Sequence, residues 1–365
     1  MVPTTVDEAA IRERFDACAL GTVGLEEEAF VVDARSLEPV PEAALVVGRA
    51  ADPCIKLELP ACQLELATSP AATPADALAQ LRVLRERALL ACGSDLALVA
   101  AAVHPTAPVD GAPLARSTHH RALARRYGSV AARQTLGALQ VHVAVGDADV
   151  ALAVHNALRS HLPELAALAA AAPFHDGCDT GLASVRPLIA CQLPRQGVPP
   201  PIASWADLVD DLHWGAASGS VPEVGWWWWE LRPHLAYGTL EVRVPDVQPT
   251  CRGAEGVATT VHALVAHLAA RARDGEPLPV DPTWRIAENR WQALSRGLDG
   301  ELADLRTGER TPARRVVHQL LDAVEPHSAA GLDAARELLE ANAAEHLRRI
   351  GVAGAARWLA ERYPP

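Results

Sequence analysis

Lysine is nearly missing from this chain: Lys56 is the only one among 365 residues, and arginine carries the rest of the positive charge. No GxxxxGK[ST] is therefore present, which excludes a P-loop NTPase, and a Schiff-base lysine is not expected. No GxGxxG follows a strand, which disfavours a Rossmann fold. Basic excess is lacking too. The net charge is −12, which argues against a nucleic-acid partner but not against a nucleotide held through metal ions. The seven cysteines (Cys18, Cys54, Cys62, Cys92, Cys178, Cys191 and Cys251) are odd in number and form no CxxC. Scattered reduced thiols of a cytoplasmic protein are expected. No apolar run approaches the ~20 residues of a membrane span. The alanine-rich stretch 150–172 is broken by His155, Arg159, His161, Pro163 and Glu164. The N-terminal MVPTTVDEAAIRERF is charged and has no signal-peptide core.

Half of the residues are hydrophobic and 21% are charged, so a substantial core can form and disorder is not expected. The length suits two domains or one large unit. Strand signals lie at 20–33, 55–59, 62–67, 95–103 and 138–145, with Pro60 dividing the second from the third. WWWWELRP leads through the turn HLAYGT into TLEVRVPD, which reads as a hairpin. Helices are expected at 75–92, with Leu78, Leu81, Leu84, Ala88 and Leu89 on one face, at 116–127, within 150–172, and near 204–212. Most of 252–363 is also helical, with breaks near 273–283 and 307–312. Segments 105–115, 173–186 and 194–201 read as loops. Strands mixed with helices in no βαβ rhythm indicate α+β with a largely antiparallel sheet.

The chemistry is concentrated in the strands. In VGLEEEAFVVD, alternation puts Glu26 and Glu28 on one face and Glu27 on the other, where a solvated position is expected for it. IKLELPACQLELAT contributes Glu58 and Glu65, which the turn at Pro60–Ala61 lets reach one site. QVHV adds His142, with Gln140 on the same face. GTLEVRVPD adds Glu241 and Arg243 on one face, then Asp246. Two carboxylates ~4 Å apart repel by roughly 4 kcal/mol at an effective dielectric of ~20, so such a cluster must take up protons or cations. Oxygen ligands of this kind suit Mg²⁺ or Mn²⁺ better than Zn²⁺. Any one of these residues has a blander reading: a strand glutamate is commonly solvated and a strand histidine commonly belongs to the core. The ordered set ExE, ExxxxxxE, QxH and GTxExRxxD says more than its parts. The run Trp226–Trp229 reads as core packing behind the hairpin. The alternative is a wall for a nucleobase or amine, to which a strand would present only alternate tryptophans.

These motifs, with HPTAP, LPELAALAAAAPFHDGCDTGLASVRP, ENRWQALSRGLDGELAD and GAARWLAERY, resemble the glutamate–cysteine ligase type 2 family of carboxylate–amine ligases. The likeness runs from about residue 20 almost to the C-terminus. It implies one catalytic domain over 1–365, mainly helical from about 252, with a glutamine-synthetase-like fold: a curved, mainly antiparallel sheet with helices on its outer face. It implies ATP- and Mg²⁺-dependent joining of a glutamate-like carboxylate to cysteine or another amine through an acyl phosphate, with Mn²⁺ as an alternative metal. Carried over by motif, the metal ligands are Glu26, Glu28, Glu58, Glu65, His142 and Glu241. Arg243 contacts ATP phosphates, Arg186 holds a substrate carboxylate or phosphoryl oxygen, and Arg232 is a second candidate. Glu65 joins Arg186 and Arg243 as a catalytic group, and Gln140 and Asp246 adjoin the nucleotide. Many relatives have HVHV where this chain has QVHV, so Gln140 replaces a histidine. A phosphotransferase of the same fold type, a ligase for a non-cysteine amine and a non-catalytic nucleotide binder are the competing readings. A homodimer is an expectation from frequency alone.

Overall fold

β1 (Val23–Asp33) is the hub of a seven-stranded sheet in the computed structural model, which describes residues 7–328 and 331–365. The first six residues of the charged N-terminal stretch lie outside the described ones. β2 (Ile55–Leu57) and β3 (Gln63–Ala67) form a hairpin around Pro60, and β3 pairs with β1. β4 (Leu96–Val99) pairs with the C-terminal half of β1, and β5 (Leu139–Ala144) with its N-terminal half. β6 (Phe174–His175) and β7 (Cys178–Asp179) make a separate small hairpin. β8 (Leu231–His234) and β9 (Thr239–Val242) complete the main sheet, in the order β2-β3-β1-β5-β9-β8 with β4 beside β1. Every ladder in this sheet is antiparallel, as an α+β chain without βαβ rhythm requires.

Alternation separates the two faces. Val23, Leu25, Ala29 and Val31 of β1 join Leu64, Leu66, Leu139, Val141, Val143, Leu240 and Val242 in the main core. Helices Pro74–Cys92 and Cys251–Arg273 pack over that face. The first starts cleanly because Thr73 caps it, accepting from the Asp76 amide, and because proline is tolerated in a helix's first turn. On the opposite face, Phe30 and Val32 are covered by Val99, Leu347 and Leu359. That cover closes one end of the face and leaves the end bearing Glu26 and Glu28 for polar groups. The β8–β9 turn is fixed against the helix Glu8–Asp16: Gly238 has φ +66°, and a Cβ there would lie 2.5 Å from the Arg14 carbonyl oxygen.

Three expected elements differ. The strand expected at 95–103 ends at Val99, although Ala100–Val103 stay buried. The loop expected at 173–186 contains β6 and β7. The tryptophan run is not a strand: Val224–Trp226 is a 3₁₀ turn and β8 begins only at Leu231. The carbonyls of Gly225 and Trp227 accept from Arg232 at 3.2 and 3.0 Å, so they serve a side chain instead of a strand ladder.

Candidate active site

Register places the acidic side chains next to one another. Glu28 lies opposite Glu65, Glu26 opposite Gln140, and His142 opposite Glu241. Two groups of three result, each with ligand atoms within 4.8 Å of one another: Glu26, His142 and Glu241, and Glu28, Glu58 and Glu65. Gln140 sits between them. Its Nε2 donates to Glu28 Oε1 at 2.9 Å, and its Oε1 accepts from Arg243. Glu28 Oε2 also accepts from the Ala138 amide at 2.8 Å.

The two groups differ in how their charge is met. Burial pushes Glu241 up, but Arg232 and then Arg243 outweigh it and hold the carboxyl well below the usual range. Burial likewise raises Glu26, and the neighbouring His142 more than offsets it. His142 Nδ1 shares a 3.1 Å hydrogen bond with Thr239 Oγ1. That aims Nε2 towards Glu26 at 3.5 Å, with no hydrogen-bond partner of its own. In the second group burial outweighs the nearby cations and N–H donors. Burial, then Glu28 and Glu65, raise Glu58 well above its ordinary value. Burial and then Glu26 raise Glu65 to about 7, against the opposing pull of Lys56. Glu28 is raised as well, by burial first. Three carboxylates that resist ionisation together, and a buried imidazole nitrogen lacking a partner, form a donor set suited to hard divalent cations.

The arginines are bound within the site. Arg232 grips Glu241 with Nε at 2.6 Å and Nη2 at 3.1 Å, and its Nη1 holds the two carbonyls named above. Arg243 bonds Glu241 and Gln140. Arg186 and Asp246, both expected at ligands, bond each other at 2.6 Å. Arg186 Nη2 also donates to the Val244 carbonyl, and Asp246 Oδ2 accepts from the Ala171 amide at 2.7 Å. Asp246 is thus an anchor for Arg186, and Nη1 is the Arg186 nitrogen outside these bonds.

Glu27 is the clear correction. It is not solvated but fully buried on the helix side, where Arg85 meets it with Nε at 2.8 Å and Nη2 at 2.6 Å. Arg85 further donates to the carbonyls of Gln248 and Tyr363, each at 3.0 Å, and lies 4.6 Å from the Tyr363 ring centroid. The pair therefore ties β1 to a helix, to the segment after β9, and to the C-terminal end. Arg85 was overlooked despite a signal: it shares the apolar stripe of Leu78, Leu81 and Ala88, where a lone charge implies a buried partner. Arg290 of the ENRW motif was missed too. It meets the buried Glu230 with Nε at 2.6 Å.

Two cavities flank the acidic groups. One, of about 510 Å³, is lined by Glu26, Lys56, His142, Tyr237, Pro53 and Ala144 among others. The other, of about 290 Å³, includes Glu58 and Trp228 in its wall. The tryptophans alternate even without a strand. Trp226 and Trp228 stack at 5.8 Å beside Tyr127, while Trp227 and Trp229 line a third, smaller cavity with Pro199–Pro201. The seven cysteines are all free, and no helix among the described residues is long and apolar enough to cross a membrane.

The family model for glutamate-cysteine ligase family 2 matches residues 22–363. A protein of Rubrobacter xylanophilus provisionally named glutamate–cysteine ligase 2-3 is 37% identical over 319 residues, covering 86% of each chain. One from Mycobacterium sp. (strain KMS), provisionally named glutamate–cysteine ligase 2-2, is 35% identical over 84% of this chain and 85% of its own. Among solved structures, glutamate–cysteine ligase from Francisella tularensis in complex with AMP has the same fold, with a TM-score of 0.67 at 15% identity over 94% of this chain and 89% of that one. A bifunctional glutathione synthetase from Pasteurella multocida has a TM-score of 0.69 at 17% identity; 98% of this chain is covered, but only 53% of that protein, about half its length. Matched from its first strand almost to its C-terminus, the chain belongs to glutamate–cysteine ligase family 2, a family of carboxylate–amine ligases.

Proposed function

We propose that the whole chain, 1–365, acts as one catalytic unit that joins a glutamate-like carboxylate to an amine at the expense of ATP, in the cytoplasm. The observation that carries this reading is the side-by-side placement of Glu26–His142–Glu241 and Glu28–Glu58–Glu65, bridged by Gln140. These six residues would hold Mg²⁺, which when bound supplies the positive charge that the carboxylates and the ATP phosphates need. The nucleoside takes the cavity of about 510 Å³ beside Glu26 and His142. Arg243, placed between Glu241 and Gln140, meets phosphate oxygens, and Arg186 turns its remaining nitrogen to the substrate. Arg232 holds Glu241 in position, as Asp246 holds Arg186.

The reaction needs no protein nucleophile. A substrate carboxylate oxygen attacks the γ-phosphorus, the bond to the β,γ-bridging oxygen breaks, and ADP leaves with its electron pair. The amine nitrogen then attacks the acyl carbonyl, the carbon–oxygen bond to phosphate breaks, and phosphate departs. The ammonium gives up two protons overall, one before attack and one as the amide forms. What the chain contributes is alignment and fixed charge.

The test is ADP release with Mg²⁺, ATP and glutamate while a panel of amines is varied, with products identified by mass. A condensed product supports the ligase. A phosphorylated, uncondensed product would assign a phosphotransferase, and nucleotide binding with no turnover on any amine would sink the catalytic reading.

A further inference from the structure

The cavity of about 290 Å³ on the Glu58 side is built unlike the nucleoside cavity. Its walls are Leu59, Leu123, Tyr127, Leu193 and Trp228, and Glu58 belongs both to it and to the Glu28–Glu58–Glu65 group. A molecule in the cavity therefore abuts the reacting centre. His120 also lines it, is only 9% exposed, and has an Nδ1 with no hydrogen-bond partner. A buried ring nitrogen without a partner is a place for a ligand's N–H.

No arginine or lysine lines this cavity among the described residues. Arg195, behind the aromatic wall, is already engaged. Its Nε donates to the Trp226 carbonyl at 3.1 Å, its Nη2 donates to Tyr127 Oη at 3.2 Å, and its guanidinium lies 5.6 Å from the Trp228 ring centroid. A buried carboxylate needs a cation or several N–H donors. An amino-acid acceptor would bring its α-carboxylate beside Glu58, in a cavity whose other polar lining, His119, His120 and Gln196, carries no fixed positive charge. An amine without a carboxylate brings a nitrogen for Glu58 and His120, and a body that aromatic and leucine side chains can cover.

We infer that this cavity is the acceptor-amine subsite, and that it selects a carboxylate-free amine with an apolar or aromatic body over an amino acid. The inference rests on the ligase reading for its place in the reaction, but not for its preference in binding.

Two pairs of probes test it: phenethylamine against phenylalanine, and cysteamine against cysteine. With Mg²⁺, ATP and glutamate, each carboxylate-free member should exceed its amino acid in kcat/KM by about tenfold or more. An equal or faster rate with the amino acids overturns the subsite while leaving the ligase intact. Calorimetry on protein loaded with Mg²⁺ and a non-hydrolysable ATP analogue forms the second arm. Phenethylamine should bind and phenylalanine should bind at least about tenfold more weakly, and Trp228→Ala should weaken phenethylamine. This pattern without any turnover would keep the subsite and sink the ligase; no phenethylamine binding overturns the subsite whatever the turnover. Gln196→Arg covers the case in which Trp228→Ala does not fold. Gln196 is a partly exposed lining residue, and a guanidinium there should move the preference towards phenylalanine by about tenfold. An unmoved ratio counts against the assignment.

Discussion

Glu27 and Glu28 are adjacent residues of one type, yet the protein deals with their charges in opposite ways. On the helix side of β1, Glu27 meets a cation supplied from within, and Arg85 is itself held by three carbonyls and an aromatic ring. On the other side, Glu28 meets Glu58 and Glu65, and the three together resist ionisation. A charge balanced from within serves the fold. A charge left unbalanced is free to be balanced by something that binds. Glu26 and Glu241 lie between these extremes, since arginines and His142 already lower both.

The largest expected effect falls on the closed side. Glu27→Ala leaves Arg85 buried without its partner, and breaking such a pair costs about 3–5 kcal/mol. Urea unfolding should show a loss of that order or an unfolded protein, and Arg85→Ala should do the same. Glu28→Gln, measured in the metal-free protein at neutral pH, should leave stability unchanged or raise it. If Glu27→Ala and Glu28→Gln destabilise equally, the contrast between the faces is wrong.

Activity should reverse that ranking. Glu26→Gln and Glu28→Gln are expected to lower kcat by about 100-fold or more, because each removes a charge aimed at the reacting groups. Their folds should remain intact by circular dichroism. Activity that survives both changes would mean that the two carboxylate groups are structural.

The third effect concerns pH. Glu65 rises from an ordinary 4.5 to about 7, and Glu58 moves in the same direction. Across that window these two carboxyls bind more protons in the folded chain than in the unfolded one, whereas the buried His104, His155 and His234, each lowered to about 4 by burial, bind fewer. The metal-free stability of the protein relative to a Glu65→Gln variant, a difference in which the histidine contributions cancel, should therefore fall as pH rises from about 4.5 to 7, by roughly 3 kcal/mol. Glu241 has the opposite sign, and its contribution is lost only as pH drops below the ordinary carboxylate range. Saturating Mg²⁺ should flatten the upper window, since binding to the folded state alone adds stability. Thermal unfolding from pH 4 to 8, with and without Mg²⁺, measures this. A metal-free difference between the protein and Glu65→Gln that is flat or rising from 4.5 to 7 would remove the basis for treating the Glu28 side as the unbalanced one.

Much of this contrast could be read from the sequence, because it is local. Period two separates Glu26 and Glu28 from Glu27, and a turn at Pro60 returns Glu65 beside the strand. The same rule puts Gln140 with His142 and Glu241 with Arg243. What escaped depends on partners far along the chain. Arg85 is 58 residues from Glu27, and Arg290 is 60 residues from Glu230. Alternation says which way a side chain points, not what waits there. Arg85 on an apolar stripe was the available clue. The tryptophans misled in another way, for β-rich residues suggested a strand where Arg232 had claimed the carbonyls.

The smallest effect belongs to the only lysine. Lys56 lies across from Glu65 in the β2–β3 hairpin and donates to its Oε1 at 3.2 Å, with its side chain 48% exposed. It is the nearest thing the Glu28–Glu58–Glu65 group has to the Arg85 of the closed side, and it is a poor substitute. An exposed ammonium is screened by water and loses side-chain entropy when it pairs, so such a bridge contributes about 1 kcal/mol or less. Lys56→Met should therefore lower metal-free stability at pH 8 by no more than that, against about 3–5 kcal/mol for Arg85→Ala. The midpoint of Glu65 should move upward, because Lys56 is one of the groups pulling it down. Carbon-13 chemical shifts of the Glu65 carboxyl, followed through pH, would report it. A loss as large as that of Arg85→Ala would show that the open side carries its own internal counter-charge, and the distinction between Glu27 and Glu28 would collapse.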